Sequence, residues 1–127
     1  MEKIGSMKVT ASPRATNRSP TIGSANANPN PVTAGSNVTL TILNVADPNA
    51  GGSVTQVAFY LDSNGDGVLE PGTDTLLGYA TQTSPGVWTL TNSSAFGLTA
   101  GTYTLFAQAK DNDGVLGDPD ALTLTVQ

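Results

Sequence analysis

From Thr21 onward, apolar and polar residues alternate with a period of two, the period of a half-buried strand. In Asn37–Val45, Val38, Leu40 and Ile42 fall on one face and Thr39 and Thr41 on the other. Val54–Leu61 places Val57, Phe59 and Leu61 inward and Ala58 and Tyr60 outward. Thr102–Lys110 turns Tyr103, Leu105, Ala107 and Ala109 to the core, and Ala121–Gln127 does so with Leu122, Leu124 and Val126. Thr21–Ala27, Thr75–Gln82 and Gly86–Asn92 complete the set, the last with Trp88 and Leu90 on one face. Asn28-Pro29-Asn30-Pro31 ends the first strand, because proline cannot sit inside a sheet. No segment carries a 3.6-residue repeat. About seven short strands separated by turn signals predict an all-β fold, an immunoglobulin-like Greek-key β-sandwich.

Leu98-Thr99-Ala100-Gly101-Thr102-Tyr103 has the L-x-x-G-x-Y form of a tyrosine corner. In that motif the tyrosine hydroxyl bonds back to upstream backbone and pins a connection between the two sheets. The alternative is an ordinary core tyrosine at a strand start. Composition agrees with the pattern: 18 Thr suit pleated, half-exposed strands, and 14 Gly with 8 Pro punctuate turns. A chain of 127 residues accommodates one such sandwich.

Charge divides the chain in two. Residues 1–18 hold Lys3, Lys8, Arg14 and Arg18 against Glu2, whereas beyond them Lys110 alone faces nine acids. Residues 1–19 are therefore expected to form a disordered tail or an expression leader, and residues 20–127 the folded domain. An acidic body with one cation offers no footprint for nucleic acid or an anionic membrane surface, and no apolar run is long enough to insert into a membrane. The N-terminus also lacks the apolar core of a signal peptide. With no histidine and no cysteine, the usual nucleophile–base pairs and zinc ligands are absent, so the chain is expected not to be an enzyme.

The strongest chemical motif is Asp62-Ser63-Asn64-Gly65-Asp66-Gly67-Val68-Leu69-Glu70. Calcium takes roughly six to eight oxygens, and D-x-N-x-D-G supplies side-chain oxygens at alternate positions of a tightly curled loop. Asp62, Asn64, Asp66 and Glu70, with the Val68 carbonyl, are the expected Ca2+ ligands. Thr73 stands where the EF-hand pattern has its bidentate glutamate, so Asp74, one residue later, is the candidate closing carboxylate. The plainer reading is a polar hairpin loop, since Asn-Gly and Asp-Gly form turns by themselves. A second acidic group, Asp111-Asn112-Asp113-Gly114, should share a pole with Asp47. There a solvated hairpin tip is favoured over a cation bridging the two loops. Tyr60 and Phe106, outward on neighbouring strands, or the loop aromatic Tyr79, are candidates for stacking on sugar rings, while Trp88 is read as core.

Taken together, PNPVTAGSNVTLT, DPNAGGSVTQVAFYLD, GTYTLFAQAKDNDG and the terminal LTLTV resemble the bacterial immunoglobulin-like, or cadherin-like, domains of large secreted and cell-surface proteins. The 62–74 loop resembles the calcium loops of dockerins and EF-hands in its first half. The resemblance implies a monomeric, extracellular spacer or adhesion module whose partners are neighbouring domains of a parent polypeptide, with a glycan or surface protein as a candidate ligand. The alternative is a carbohydrate-binding module accessory to a secreted hydrolase.

Overall fold

The computed structural model describes residues 19–49 and 51–127. The expected tail over residues 1–19 thus lies outside the described residues, except for Ser19. The described chain forms eight strands: β1 (Ser24–Asn28), β2 (Val38–Leu43), β3 (Val54–Leu61), β4 (Thr75–Tyr79), β5 (Thr81–Ser84), β6 (Val87–Asn92), β7 (Gly101–Asp111) and β8 (Asp120–Val126). They build two four-stranded antiparallel sheets, ordered β1-β2-β6-β5 and β4-β3-β7-β8. This is the immunoglobulin-like sandwich that the alternation predicts.

One predicted strand is two. Thr75–Gln82 breaks at Ala80, so that β4 pairs with β3 and β5 crosses to pair with β6 in the other sheet. Ala80 is buried at the crossing, and its N–H donates to the Val57 carbonyl at 2.8 Å. The register of β3 on β4 shifts between Phe59 and Tyr60, and Gly78 sits opposite Phe59 in the irregular stretch. Such bulges bend a strand and end its pairing, which lets the chain change sheets.

The inward positions read from the sequence form the core. Val38, Leu40, Ile42, Val57, Phe59, Leu105, Ala107, Ala109 and Leu124 are wholly buried, and Trp88 packs among them. Tyr103 adjoins this core, and its hydroxyl donates to the Thr99 carbonyl at 2.7 Å, completing the tyrosine corner. After the Pro29–Pro31 break the chain runs beside β8. The Asn30 side chain bonds the Thr123 carbonyl and the Thr125 N–H, and Val32 pairs in parallel with Val126. That segment covers part of the β8 edge, which would otherwise leave backbone groups unpaired.

The longer strands run pole to pole, β4 and β5 each cover part of that length, and the register fixes what meets at each end. The first pole gathers the start of β1, the β2–β3 loop, the β5–β6 turn and the β7–β8 loop. The second gathers the β3–β4 loop, the β6–β7 connection and the end of β8.

Candidate functional site

The β3–β4 loop at the second pole holds every residue of the expected calcium set. β3 delivers Asp62, whose N–H continues the ladder by donating to the Thr104 carbonyl at 3.0 Å. The loop then curls around that carboxylate. Gly65 N–H reaches Asp62 Oδ1 at 3.1 Å and Gly67 N–H reaches Oδ2 at 2.9 Å. Both glycines have positive φ, +70° and +76°, a conformation that glycine adopts without steric cost. Asn64 Oδ1 accepts the Asp66 N–H at 3.4 Å, and Asp66 Oδ1 accepts the Val68 N–H at 3.0 Å.

The Asn64, Asp66 and Glu70 side chains meet. Asn64 Nδ2 donates to Glu70 Oε1 at 2.7 Å and lies 3.4 Å from Asp66 Oδ2. The Val68 N–H is the chief cause holding the Asp66 carboxyl below the usual carboxylate range; desolvation opposes it, and Glu70 and Asn64 add smaller contributions in the same direction as Val68. Val68 itself is exposed.

Asp74 stands apart from these four. It is buried, and its two oxygens staple the loop shut from below: Oδ1 accepts the Ser63 N–H at 3.0 Å and Oδ2 the Glu70 N–H at 2.9 Å. Ser63 and Thr75 add a hydroxyl pair at 2.8 Å beside it. Among the described residues, no three Asp or Glu side chains are grouped closely enough to enclose a metal ion in this arrangement. The loop thus brings Asn64, Asp66 and Glu70 together, wraps backbone amides around Asp62, and uses Asp74 to fix its own base.

The aromatic candidates divide differently from the alternation. Phe106 is 3% exposed and Ala58 5%, although both point away from the inter-sheet core. Phe106 pairs with Tyr60 and Ala121, and Gln108 on the same face reaches over to the Gly117 carbonyl at 2.9 Å. Phe106 therefore offers no platform and Tyr60 is half-buried. Tyr79, expected in a loop, lies at the end of β4 opposite Ala58 and is 52% exposed. Trp88 is 7% exposed, within the core.

At the first pole, Asp47 and the Asp111–Gly114 turn do share one end of the sandwich. Ser53 N–H donates to Asn112 Oδ1 at 3.2 Å and Asn112 N–H to the Ser53 carbonyl at 2.9 Å, which lace the two loops. Asp111 is no solvated tip: it is 1% exposed. Its position was legible, since it continues the inward series Tyr103, Leu105, Ala107, Ala109 by one more step of two.

No family model matches this chain. No curated protein matches it in sequence. Solved structures do match in shape. A superoxide reductase (neelaredoxin) from Ignicoccus hospitalis overlays with a TM-score of 0.54 at 20% identity, over 93% of this chain and 87% of that one. The fibronectin(III)-like modules of Clostridium thermocellum CbhA overlay with a TM-score of 0.53 at 13% identity, over 85% of this chain and 96% of theirs. A PKD domain of an M14-like peptidase from a Thermoplasmatales archaeon, at 0.46 and 21% identity, overlays too loosely to carry an argument. At such identities the likeness establishes the fold, an immunoglobulin-like sandwich, and not an activity.

Proposed function

We propose that this chain is a non-catalytic immunoglobulin-like module of an extracellular bacterial protein, a monomeric spacer or adhesion unit stiffened by Ca2+ in the β3–β4 loop. The observation that carries the reading is the path of the backbone. β1 begins at one pole and β8 ends at the other, so domains joined on either side would be strung along the long axis. The fold shared with fibronectin(III)-like modules supports a modular role. The absence of histidine and cysteine from the sequence supports a role without acid–base or thiol chemistry.

Calcium is supported by the side chains of Asn64, Asp66 and Glu70, which already meet over a loop curled on Asp62. In that loop an ion would replace the Asn64–Glu70 hydrogen bond with metal–oxygen contacts and draw the carboxylates inward. Extracellular sites of this kind bind at about 10⁻⁴–10⁻³ M, so the test is thermal melting in millimolar calcium. A ligand held only by the folded form at a hundredfold excess over Kd adds about 2.7 kcal/mol. Calcium should raise the melting temperature, EDTA should reverse the rise, magnesium should substitute poorly, and Asp66→Ala should abolish most of the response. Melting that ignores calcium and EDTA alike would reduce the loop to a hairpin connection.

A carbohydrate-binding role has one observation in its favour, the exposed ring of Tyr79 on β4 near the half-buried Tyr60. A glycan array with wild-type chain and Tyr79→Ala separates the two readings, because a spacer binds no glycan in either form.

A further inference from the structure

Ten asparagines stand in the sequence, and Asn64 is the one followed by glycine. That neighbour matters for a reaction of the chain with itself. The backbone nitrogen after an asparagine can attack the side-chain amide carbon and close a five-membered ring. A Cβ on the attacking residue obstructs the approach, and a proline nitrogen has no proton to give up, which removes Asn28 and Asn30. Gly65 brings neither obstacle: it is exposed, and nothing lies within 4 Å of where its Cβ would stand. Asn64 is exposed beside it, so water reaches both.

The loop restrains both partners of that ring closure. Gly65 N–H, the nucleophile, donates to Asp62 Oδ1 at 3.1 Å. On the side chain of Asn64, Oδ1 accepts the Asp66 N–H at 3.4 Å, and Nδ2, the leaving group, donates to Glu70 Oε1 at 2.7 Å. The last bond is the shortest and is charge-assisted, so it is the main restraint on the side chain. The same bond decides what the product does. Asp74 closes the base of the loop by itself, through the Ser63 and Glu70 N–H groups, so a change at Asn64 is felt above that base. Once Nδ2 is gone, a carboxylate faces Glu70 where a donor stood. Lys110, the one basic residue after Arg18, lies opposite Gln56 toward the other pole, and among the described residues no other Lys or Arg is present to offset the repulsion.

We propose that Asn64 is a site of spontaneous deamidation, held back by its bond to Glu70, and that its products loosen the β3–β4 loop. The reaction balances with water as its one co-reactant. Gly65 N bonds to Asn64 Cγ, the Cγ–Nδ2 bond breaks, and the Gly65 proton leaves with the nitrogen as ammonia. Water then opens the succinimide. Cleavage between Cγ and the Gly65 nitrogen leaves aspartate at position 64. Cleavage at the main-chain carbonyl leaves isoaspartate, with an added methylene in the backbone. The first product sets a carboxylate against Glu70, and the second lengthens the curl in which the Gly65 and Gly67 N–H groups meet Asp62. Neither step requires a metal ion.

The test ages the full chain in EDTA at mildly alkaline pH and maps it by peptide mass spectrometry. The small mass gain of amide-to-acid conversion is expected at Asn64 before any other asparagine, in two products that chromatography resolves. Glu70→Ala should speed that gain by roughly three- to tenfold, the change in opening that the net worth of one hydrogen bond allows. Glu70→Gln, which keeps an oxygen facing Nδ2, should speed it less. Conversion that starts at another asparagine, or an Asn64 rate unmoved by Glu70→Ala, overturns the proposal. The loosening is read by thermal melting in EDTA. Asn64→Asp should lower the melting temperature by about 4 °C or more, and adding Glu70→Gln should recover most of that loss, because a donor then faces the new carboxylate. An Asn64→Asp chain that melts like wild type, or a loss that Glu70→Gln leaves in place, overturns the effect on the loop. Because EDTA is present throughout, a failed calcium response would leave both results standing.

Discussion

Replacing Tyr103 by phenylalanine removes one oxygen and keeps the ring. That oxygen donates to the Thr99 carbonyl at 2.7 Å and lies 3.2 Å from Thr99 Oγ1, bridging the β6–β7 connection as the chain passes from one sheet to the other. The bond is near the surface, so the freed carbonyl can be rehydrated, and the loss is the net value of one hydrogen bond, about 1 kcal/mol, and not the larger penalty of a buried orphan. With an m-value of about 1–3 kcal/mol/M in urea, the midpoint should fall by roughly 0.3–1 M. In a thermal melt of a domain near 100 residues, the same loss is about 4–8 °C. Trp88, at 7% exposure, is the natural reporter, since its fluorescence shifts when the core opens to water. The m-value should not change, because the fold persists. An unchanged midpoint would leave the hydroxyl without a stabilising role and refute the corner as an energetic feature. A midpoint shift accompanied by a lower m-value would mean that the connection itself unravels.

Other consequences follow from packing and charge. Phe59→Ala should cost about 3–5 kcal/mol, because the ring is wholly enclosed between the sheets; a loss under 1 kcal/mol would show that the site collapses without a cavity. Gly52→Ala should destabilise measurably while Gly72→Ala stays near neutral, since a Cβ overlaps the Asp47 carboxylate at the first and meets nothing within 4 Å at the second. Asp66 should titrate below its ordinary 3.8 in a carboxyl-detected NMR titration, owing first to the Val68 N–H. A depressed folded-state value stabilises the fold above the unfolded pKa, and this is lost as pH falls through the folded one; titration at or above 3.8 would show that desolvation outweighs the bonds to Val68, Glu70 and Asn64.

Much of the fold is legible in the alternation because a strand with one buried face must repeat every two residues. Val38-Leu40-Ile42 and Leu105-Ala107-Ala109 needed nothing more. The sheet switch at Ala80 was not legible: Thr75–Gln82 reads as one polar-flanked run, and the extra β4 residue, Leu77, that disturbs its pairing with β3 shows only in the register. Phe106 fails the inside–outside rule because the outer face of its sheet is itself partly roofed, a tertiary event that period two does not encode. In the β3–β4 loop, spacing does not distinguish Asp74, which bonds the Ser63 and Glu70 backbone, from Asn64 and Glu70, which meet each other, because that depends on the depth to which β4 draws each side chain. Asp111 shows the converse error, in which a familiar turn composition, Asp-Asn-Asp-Gly, obscured an inward position that the strand period already implied.

Whether the sandwich holds calcium in its β3–β4 loop, as proposed, is read out by a crystal structure grown in millimolar calcium with an anomalous difference map. A peak is expected at the second pole, with oxygens of Asp62, Asn64, Asp66 and Glu70 at about 2.3–2.6 Å and the Val68 carbonyl turned toward it. A map without a peak there, with Asn64 Nδ2 still bonded to Glu70 at the 2.7 Å seen here, would contradict it.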